Sequence, residues 1–332
     1  MSLSSFIFIF AQYFGFFVFP VGLVANLFCI IILCRKSQRR LSINFYLVAL
    51  AVSDFCILLL SCFDKWRTFV FKLSLRNTSI FFCKVLPFFE RLFLSLSSWI
   101  VVIITVQRAR AIKSPLGGDF IRSRTWLRDI VILLITTSAL ILIYMPTLIY
   151  YNFTETLSRN GTKKSYCISE EPKWYHLTKY IIFNTVYSFI PCAILFVCVG
   201  IIIKQLSKRK RFLASQGNIH SDRQGQNDNI IRLVLSINIM FVVFTFPFAL
   251  LGMIMTFSDR TTIYANNVLK PIYRITHFLS YTNSFLNFFI YIISGRSFRK
   301  ELVNLFKEPL QRLRKKPSLA DPRSQLSLKM TT

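Results

Sequence analysis

The sequence predicts an all-α membrane protein: a bundle of seven transmembrane helices followed by a short amphipathic eighth helix. Three observations point there: an excess of apolar residues, seven apolar runs of membrane-spanning length, and a one-sided distribution of basic residues between them. Of the 332 residues, 54% are hydrophobic, 16% aromatic and only 17% charged, with a mean hydropathy of +0.51. That composition excludes a disordered chain. Eight cysteines over such a length also exclude a disulfide-stapled secreted module. A net charge of +27 would suit a nucleic-acid binder, but 35 phenylalanines would not, so no nucleic-acid partner is expected.

A transmembrane helix needs roughly 20 mostly apolar residues to cross about 30 Å of hydrocarbon. Such runs lie at about 6–34, 43–63, 83–106, 130–151, 177–203, 230–257 and 268–293. Helices are expected rather than open strands, because lipid offers the backbone no hydrogen-bond partners. The first run lacks a basic leading region and is too long for a cleaved signal peptide. The resulting organisation is a short N-terminus at 1–5, a helical bundle at 6–293, an amphipathic helix at 294–307 and a basic, disordered tail at 308–332.

Basic residues set the orientation. The segments after spans 1, 3 and 5 and the tail hold most of the 41 Lys and Arg, which predicts these segments to be cytoplasmic and the N-terminus extracellular, in the plasma membrane. Three Asn-x-Ser/Thr acceptors, at Asn77, Asn152 and Asn160, fall in the loops after spans 2 and 4, on the side expected to be outside. Cys83 at the start of span 3 and Cys167 in the loop after span 4 share that oxidising side, so a disulfide is expected, with two free thiols as the alternative. The other six cysteines sit in or at the ends of spans and read as small apolar residues. Anionic inner-leaflet lipid is the default partner of the basic segments, which include Lys204 to Arg211.

Polar residues within the spans are the candidates for function. Asp54 lies about ten residues into span 2, hence about 15 Å deep, where a carboxylate is costly unless paired or hydrated. Ser97 of span 3 and Asn283, Ser284 and Asn287 of span 7 are its candidate partners, forming either a site for a small cation or proton or a polar knot between helices. At 100° per residue, Cys83, Glu90, Ser97 and Arg108 fall within about 20° of one face of span 3. One face thus carries an acid near the outer mouth and a base at the inner end. Arg91 points about 100° away from Glu90. Glu90 reads either as a ligand-binding acid or as an interfacial carboxylate reaching water.

Together these features resemble the rhodopsin-like (class A) G-protein-coupled receptors over residues 15–305. The matching residues are Gly22 and Asn26 in span 1, Leu50, Ala51 and Asp54 in span 2, and Cys83 and Arg108 in span 3. Further on they are Pro146, Cys167, Pro191, Phe241 and Pro247, then Asn287, Tyr291 and Phe298. The chain departs from the family pattern at Gln107, where an acid is usual beside the arginine, and at Ala109, Val199, Thr245 and Phe288. The resemblance implies an extracellular ligand and a heterotrimeric G protein as partners, with arrestin and a receptor kinase acting on the cytoplasmic side. It gives Arg108 and Gln107 the G-protein-facing end, Tyr291, Phe241 and Pro247 switch roles, and Asp54 with its partners an allosteric sodium pocket. No other cofactor is expected, and Tyr281 stands where opsins hold their retinal-binding lysine. Glu90, Arg91, His277 and Tyr281 are the candidate ligand contacts.

Glu90 favours a ligand with a basic group, either an amine or a small peptide, and the long second loop tilts the choice toward an FMRFamide-like neuropeptide of invertebrate type. Without an acid at 107, raised ligand-independent signalling is expected. A transporter or channel is the rival class, but the chain shows no internal repeat of the kind transporters carry. An enzyme is not expected, because His176, His220 and His277 are scattered and form no metal-binding pattern.

Overall fold

The computed structural model describes residues 3–35, 42–113, 126–157, 163–215, 222–257 and 269–314. Span 1 is helix α1, Leu3–Leu33. Span 2 is α2, Ser42–Cys56, a π-helical turn at Ile57–Cys62, and α3, Phe63–Phe71. A 3₁₀ turn at Leu75–Asn77 leads into α4, Ile80–Lys113, which is span 3. Span 4 is α5, Trp126–Tyr144, continued by α6, Pro146–Tyr150. An antiparallel hairpin of β1, Tyr151–Leu157, and β2, Lys163–Ser169, follows, with Phe153 opposite Cys167. Span 5 is α7, Lys173–Asn184, a π turn at Thr185–Phe189, and α8, Ile190–Ser215. Spans 6 and 7 are α9, Asp222–Phe257, and α10, Leu269–Ser294, and α11, Arg296–Arg314, closes the described chain.

Six of these spans are long and apolar enough to cross a membrane by composition alone. The helix Leu269–Ser294 is not among them, being rich in polar residues, of which Ser280, Asn283, Ser284 and Asn287 are buried. Its polar groups face the bundle rather than lipid. Conversely, large apolar side chains such as Phe16, Leu134, Phe196 and Ile239 are exposed around the outside. Outward apolar and inward polar is the arrangement a lipid solvent imposes.

Local chemistry explains the breaks. Pro146 starts α6, where its missing N–H costs nothing. Pro191 cannot donate to the carbonyl four residues earlier, and the π turn at Thr185–Phe189 lies over that position. Close approach bears on Gly22: a Cβ there would stand 2.6 Å from Leu58 Cδ1, so a larger residue would push that side chain aside where span 1 meets span 2. At Gly295, between α10 and α11, a Cβ would meet the Tyr291 carbonyl oxygen at 2.7 Å.

α11 extends seven residues beyond the expected end at 307, because the three-to-four-residue spacing of Phe298, Leu302 and Phe306 runs on to Leu310 and Leu313 in the sequence. Phe298 is buried against Tyr291, with ring centroids 5.6 Å apart. Arg299 Nη1 donates to the carbonyls of Ile292 and Ile293, at 2.6 and 2.9 Å. Arg35, just past span 1, pairs with Glu301 at 3.2 Å and also with Glu308. α1 likewise begins at Leu3, so helix occupies part of the expected N-terminal segment. The tail 315–332 lies outside the described residues.

The expected disulfide forms between Cys83 and Cys167, which removes the free-thiol alternative. It ties β2 to the start of span 3, and the Cys167 N–H also donates to Asn77 Oδ1 at 3.0 Å. The bond closes a loop across a sequence separation of 84 residues. Cys83→Ser is therefore expected to cost about 2–5 kcal/mol, read as a lowered Tm of the detergent-solubilised chain. An unchanged Tm would show that the hairpin is held without it.

Candidate functional site

Polar residues gather at three levels along the bundle. The first is a charged cluster at the hairpin end. Glu90 pairs with Arg76 from the first loop, with Lys65 of span 2 at 3.6 Å, and with His277 Nε2 of span 7 at 3.7 Å. Arg76 Nε also donates to Asp64 at 3.1 Å, and Asp64 accepts from the Leu75 N–H at 2.7 Å. Burial disfavours the charge on Arg76, but Glu90 and Asp64 outweigh it, so the pKa of the guanidinium is raised. Both acids thus have cations built into the fold, and Glu90 is engaged by the chain's own Arg76 and Lys65. Tyr281 reaches Glu90 only through His277: its hydroxyl bonds Ser61 at 2.8 Å and His277 Nε2 at 3.1 Å. His277 also stacks on Phe248, with ring centroids 4.5 Å apart.

Arg91 turns the other way, as its helical angle predicts. It donates to Thr147 Oγ1 at 2.8 Å and lies 5.8 Å from the Tyr151 ring centroid. Nearby, buried Lys179 pairs with Glu171 and lies 5.0 Å from the Tyr180 ring centroid. Between spans 2 and 7 is a cavity of about 250 Å³, lined by three cations, Lys65, Lys72 and Arg274, and by the rings of Phe69, Phe278 and Tyr281. His277 lines it as well, and no carboxylate does among the described residues.

The second level is the middle of the bundle. Asp54 is fully buried and accepts from Ser97 Oγ at 2.9 Å and from Asn287 Nδ2 at 2.6 Å. Asn26 Nδ2 donates to the Ser284 carbonyl at 2.9 Å, joining span 1 to span 7. Asn283, expected as a partner of Asp54, instead has a buried Oδ1 with no hydrogen-bond partner, as does Asn287. Each is a buried acceptor that only an added donor or cation would satisfy.

The third level is the end opposite the hairpin. Among the described residues Arg108 has no ion-pair partner. The neighbouring link from span 3 to span 6 is neutral: Thr105 Oγ1 donates to Asn238 Oδ1 at 2.9 Å. Gln107 is within hydrogen-bonding reach of Tyr46, whose hydroxyl donates to Asp129 Oδ1 at 3.3 Å. Phe241 is fully buried, Thr245 Oγ1 bonds the Phe241 carbonyl at 2.6 Å, and Tyr291 is buried with its hydroxyl unpartnered. Pro247 lies inside α9.

Of the glycosylation candidates, Asn77 is partly exposed and Asn152 Nδ2 donates to Glu170 at 2.7 Å. Asn160 lies outside the described residues.

Sequence reasoning missed Asp64, Lys65, Arg76 and Asp129. Asp64 and Lys65 fall just beyond the expected end of span 2 at 63, whereas Phe69, Val70 and Phe71 carry the helix on. That second apolar group was the available signal. Asp129 falls one residue before the expected start of span 4 and is buried.

The family profile described as "7 transmembrane receptor (rhodopsin family)" matches residues 25–291. Among curated proteins, the chain is 25% identical to the Mus musculus protein described as "Probable C-C chemokine receptor type 3", over 86% of this chain and 75% of that one. It is 25% identical to the C-C chemokine receptor type 1 of Homo sapiens, over 87% and 77%. It is also 25% identical to the type-2 angiotensin II receptor of Meriones unguiculatus, over 94% and 84%.

Removing one member of this partly buried ion cluster leaves its neighbours less well compensated. Arg76→Gln is expected to destabilise the protein by about 1.5–3 kcal/mol. Combining it with Glu90→Gln is expected to cost clearly less than the sum of the two single changes. Thermal unfolding of the three variants measures this, and strict additivity would mean that the two side chains do not interact.

Proposed function

We infer that this chain, which belongs to the rhodopsin family of seven-transmembrane receptors and is a G-protein-coupled receptor, is activated by a small peptide arriving from outside the cell. It is a multi-pass membrane protein. The reading has its N-terminus and the hairpin end outside, in the plasma membrane, and Arg108 and α11 inside. Supporting it is a charged cavity at the end that carries the disulfide-tethered hairpin. The matched relatives are described as receptors for chemokines and angiotensin II, which makes a peptide the favoured ligand class over an amine. The observation that carries most weight is that Glu90, the acid a ligand amine would need, is already paired with Arg76 and Lys65.

Activation in such a bundle is a shift between two helix arrangements, driven by a ligand that binds one of them more tightly. Arg108 is the residue we assign to G-protein contact, with arrestin and a receptor kinase as later partners on the same side. With no carboxylate holding Arg108 among the described residues, the resting arrangement there relies on the neutral Thr105–Asn238 bond. Gln107→Asp is thus expected to lower agonist-free signalling about fivefold or more, measured by a second-messenger reporter at matched surface expression. An unchanged basal level would show that the missing acid is immaterial.

We also assign a small monovalent cation to Asp54. The donor set supports it: a carboxylate, the Ser97 hydroxyl and the unsatisfied Oδ1 atoms of Asn283 and Asn287 are all hard oxygen ligands. Bound there, the ion would supply a positive charge that compensates the buried carboxylate of Asp54 while Ser97 and Asn287 orient it. Sodium chloride is expected to raise the Tm of the purified receptor relative to choline chloride at equal ionic strength. Asp54→Asn is expected to remove that difference, and a sodium effect that survives the substitution would exclude this site.

A further inference from the structure

We propose that the cavity between spans 2 and 7 is an anion subsite, holding the carboxylate of an aromatic residue of the ligand. The inference rests on reading the hairpin end as the outer, ligand-facing side, and adds the chemistry of what binds there. Three cations, Lys65, Lys72 and Arg274, line about 250 Å³, with no acid lining it among the described residues. Lys65 shares Glu90 Oε1 at 3.6 Å. Among the described residues the other two have no carboxylate partner: Lys72 Nζ bonds the Phe69 carbonyl at 3.1 Å, and Arg274 lies over the Phe69 ring at 5.5 Å from its centroid. Positive groups gathered around a concave space repel one another and concentrate an anion in it.

The remaining lining defines the other half of the ligand group. Phe69, Phe278 and Tyr281 supply apolar and aromatic surface, and Phe69 lies beneath both Lys72, at 5.3 Å from its centroid, and Arg274. The space is smaller than the roughly 300–1,000 Å³ of a drug-sized pocket, which suits one residue of a peptide rather than the whole. An aromatic residue bearing a free carboxylate, or lying next to an acidic one, satisfies rings and cations together.

Occupancy there has a route to span 3. A carboxylate in the cavity competes with Glu90 for Lys65, and His277 touches both the cavity and Glu90. Lys65 is therefore the residue through which the subsite acts on the charged cluster, and through Glu90 on the helix that ends at Arg108.

The test is direct binding to the full chain in lipid nanodiscs, read by saturation-transfer NMR and requiring no signalling. The probes are N-acetylphenylalanine, its amide N-acetylphenylalaninamide, and N-acetylaspartylphenylalaninamide. The first tests a terminal carboxylate and the third a side-chain carboxylate. At least one carboxylate probe is expected to bind about tenfold or more tightly than the neutral amide, as for one hydrogen bond to a charged group. Lys72→Gln and Arg274→Gln change exposed side chains and are expected to keep the wild-type Tm while each weakens that probe about tenfold. Equal affinity for acid and amide, no binding by either acid, or affinity unmoved in both variants would overturn the subsite. A receptor that recruits G protein in a separate assay yet fails here loses the subsite and keeps its receptor function. One that binds the acid but never recruits G protein keeps the subsite and loses the signalling role.

Discussion

A chain dissolved in hydrocarbon has no water with which to satisfy its polar groups, and the architecture follows from that limit. Every backbone in the spans is helical, so its own carbonyls and amides pair internally. Side chains sort likewise: Phe16, Leu134, Phe196 and Ile239 turn outward, while Asp54, Asp64, Asp129 and Asn238 turn in and are partnered. The interior polar groups then become the connections between helices. Asn26 links span 1 to span 7, Asp54 links span 2 to spans 3 and 7, Thr105 links span 3 to span 6, and Arg76 bridges the first loop to spans 2 and 3.

The two ends of span 3 solve the problem differently. Near the hairpin, Glu90 is paired with two cations from different parts of the chain, Lys65 and Arg76, and stands beside the His277 ring, so that end is cross-linked by charge. At the other end, Arg108 has no opposing carboxylate among the described residues, and a single hydroxyl-to-amide bond stands nearby. A bundle stiff at one end and weakly restrained at the other places its freedom of movement where a cytoplasmic partner would act.

Much of this was legible in the sequence, because a long helix keeps a regular period. Counting at 100° per residue along span 3 grouped Cys83, Glu90 and Ser97, and their partners are the hairpin cysteine, the charged cluster and Asp54. Depth and spacing made Asn287 one of the candidate partners of Asp54, and its side chain does donate to that carboxylate. The charged cluster was hidden for three physical reasons. The apolar run of span 2 pauses at Asp64, although its helix does not. The π turn at Ile57–Cys62 breaks the angular register that would place Asp64 and Lys65. Arg76 comes from a short connecting turn, and no periodicity governs where such a side chain points. Asn283 shows the opposite error: it shares a face with Asn287, yet its carbonyl oxygen meets no partner.

The joint between span 1 and α11 carries one more lesson. A lone guanidinium, Arg35, grips two glutamates a full seven positions apart on the same amphipathic helix. Two turns of α11 separate those grips, so the helix is held along a line rather than at a point and resists swivelling about Gly295. Either acid can keep hold if the other is lost. The arginine has no such understudy, which makes it the more fragile half of the fastening.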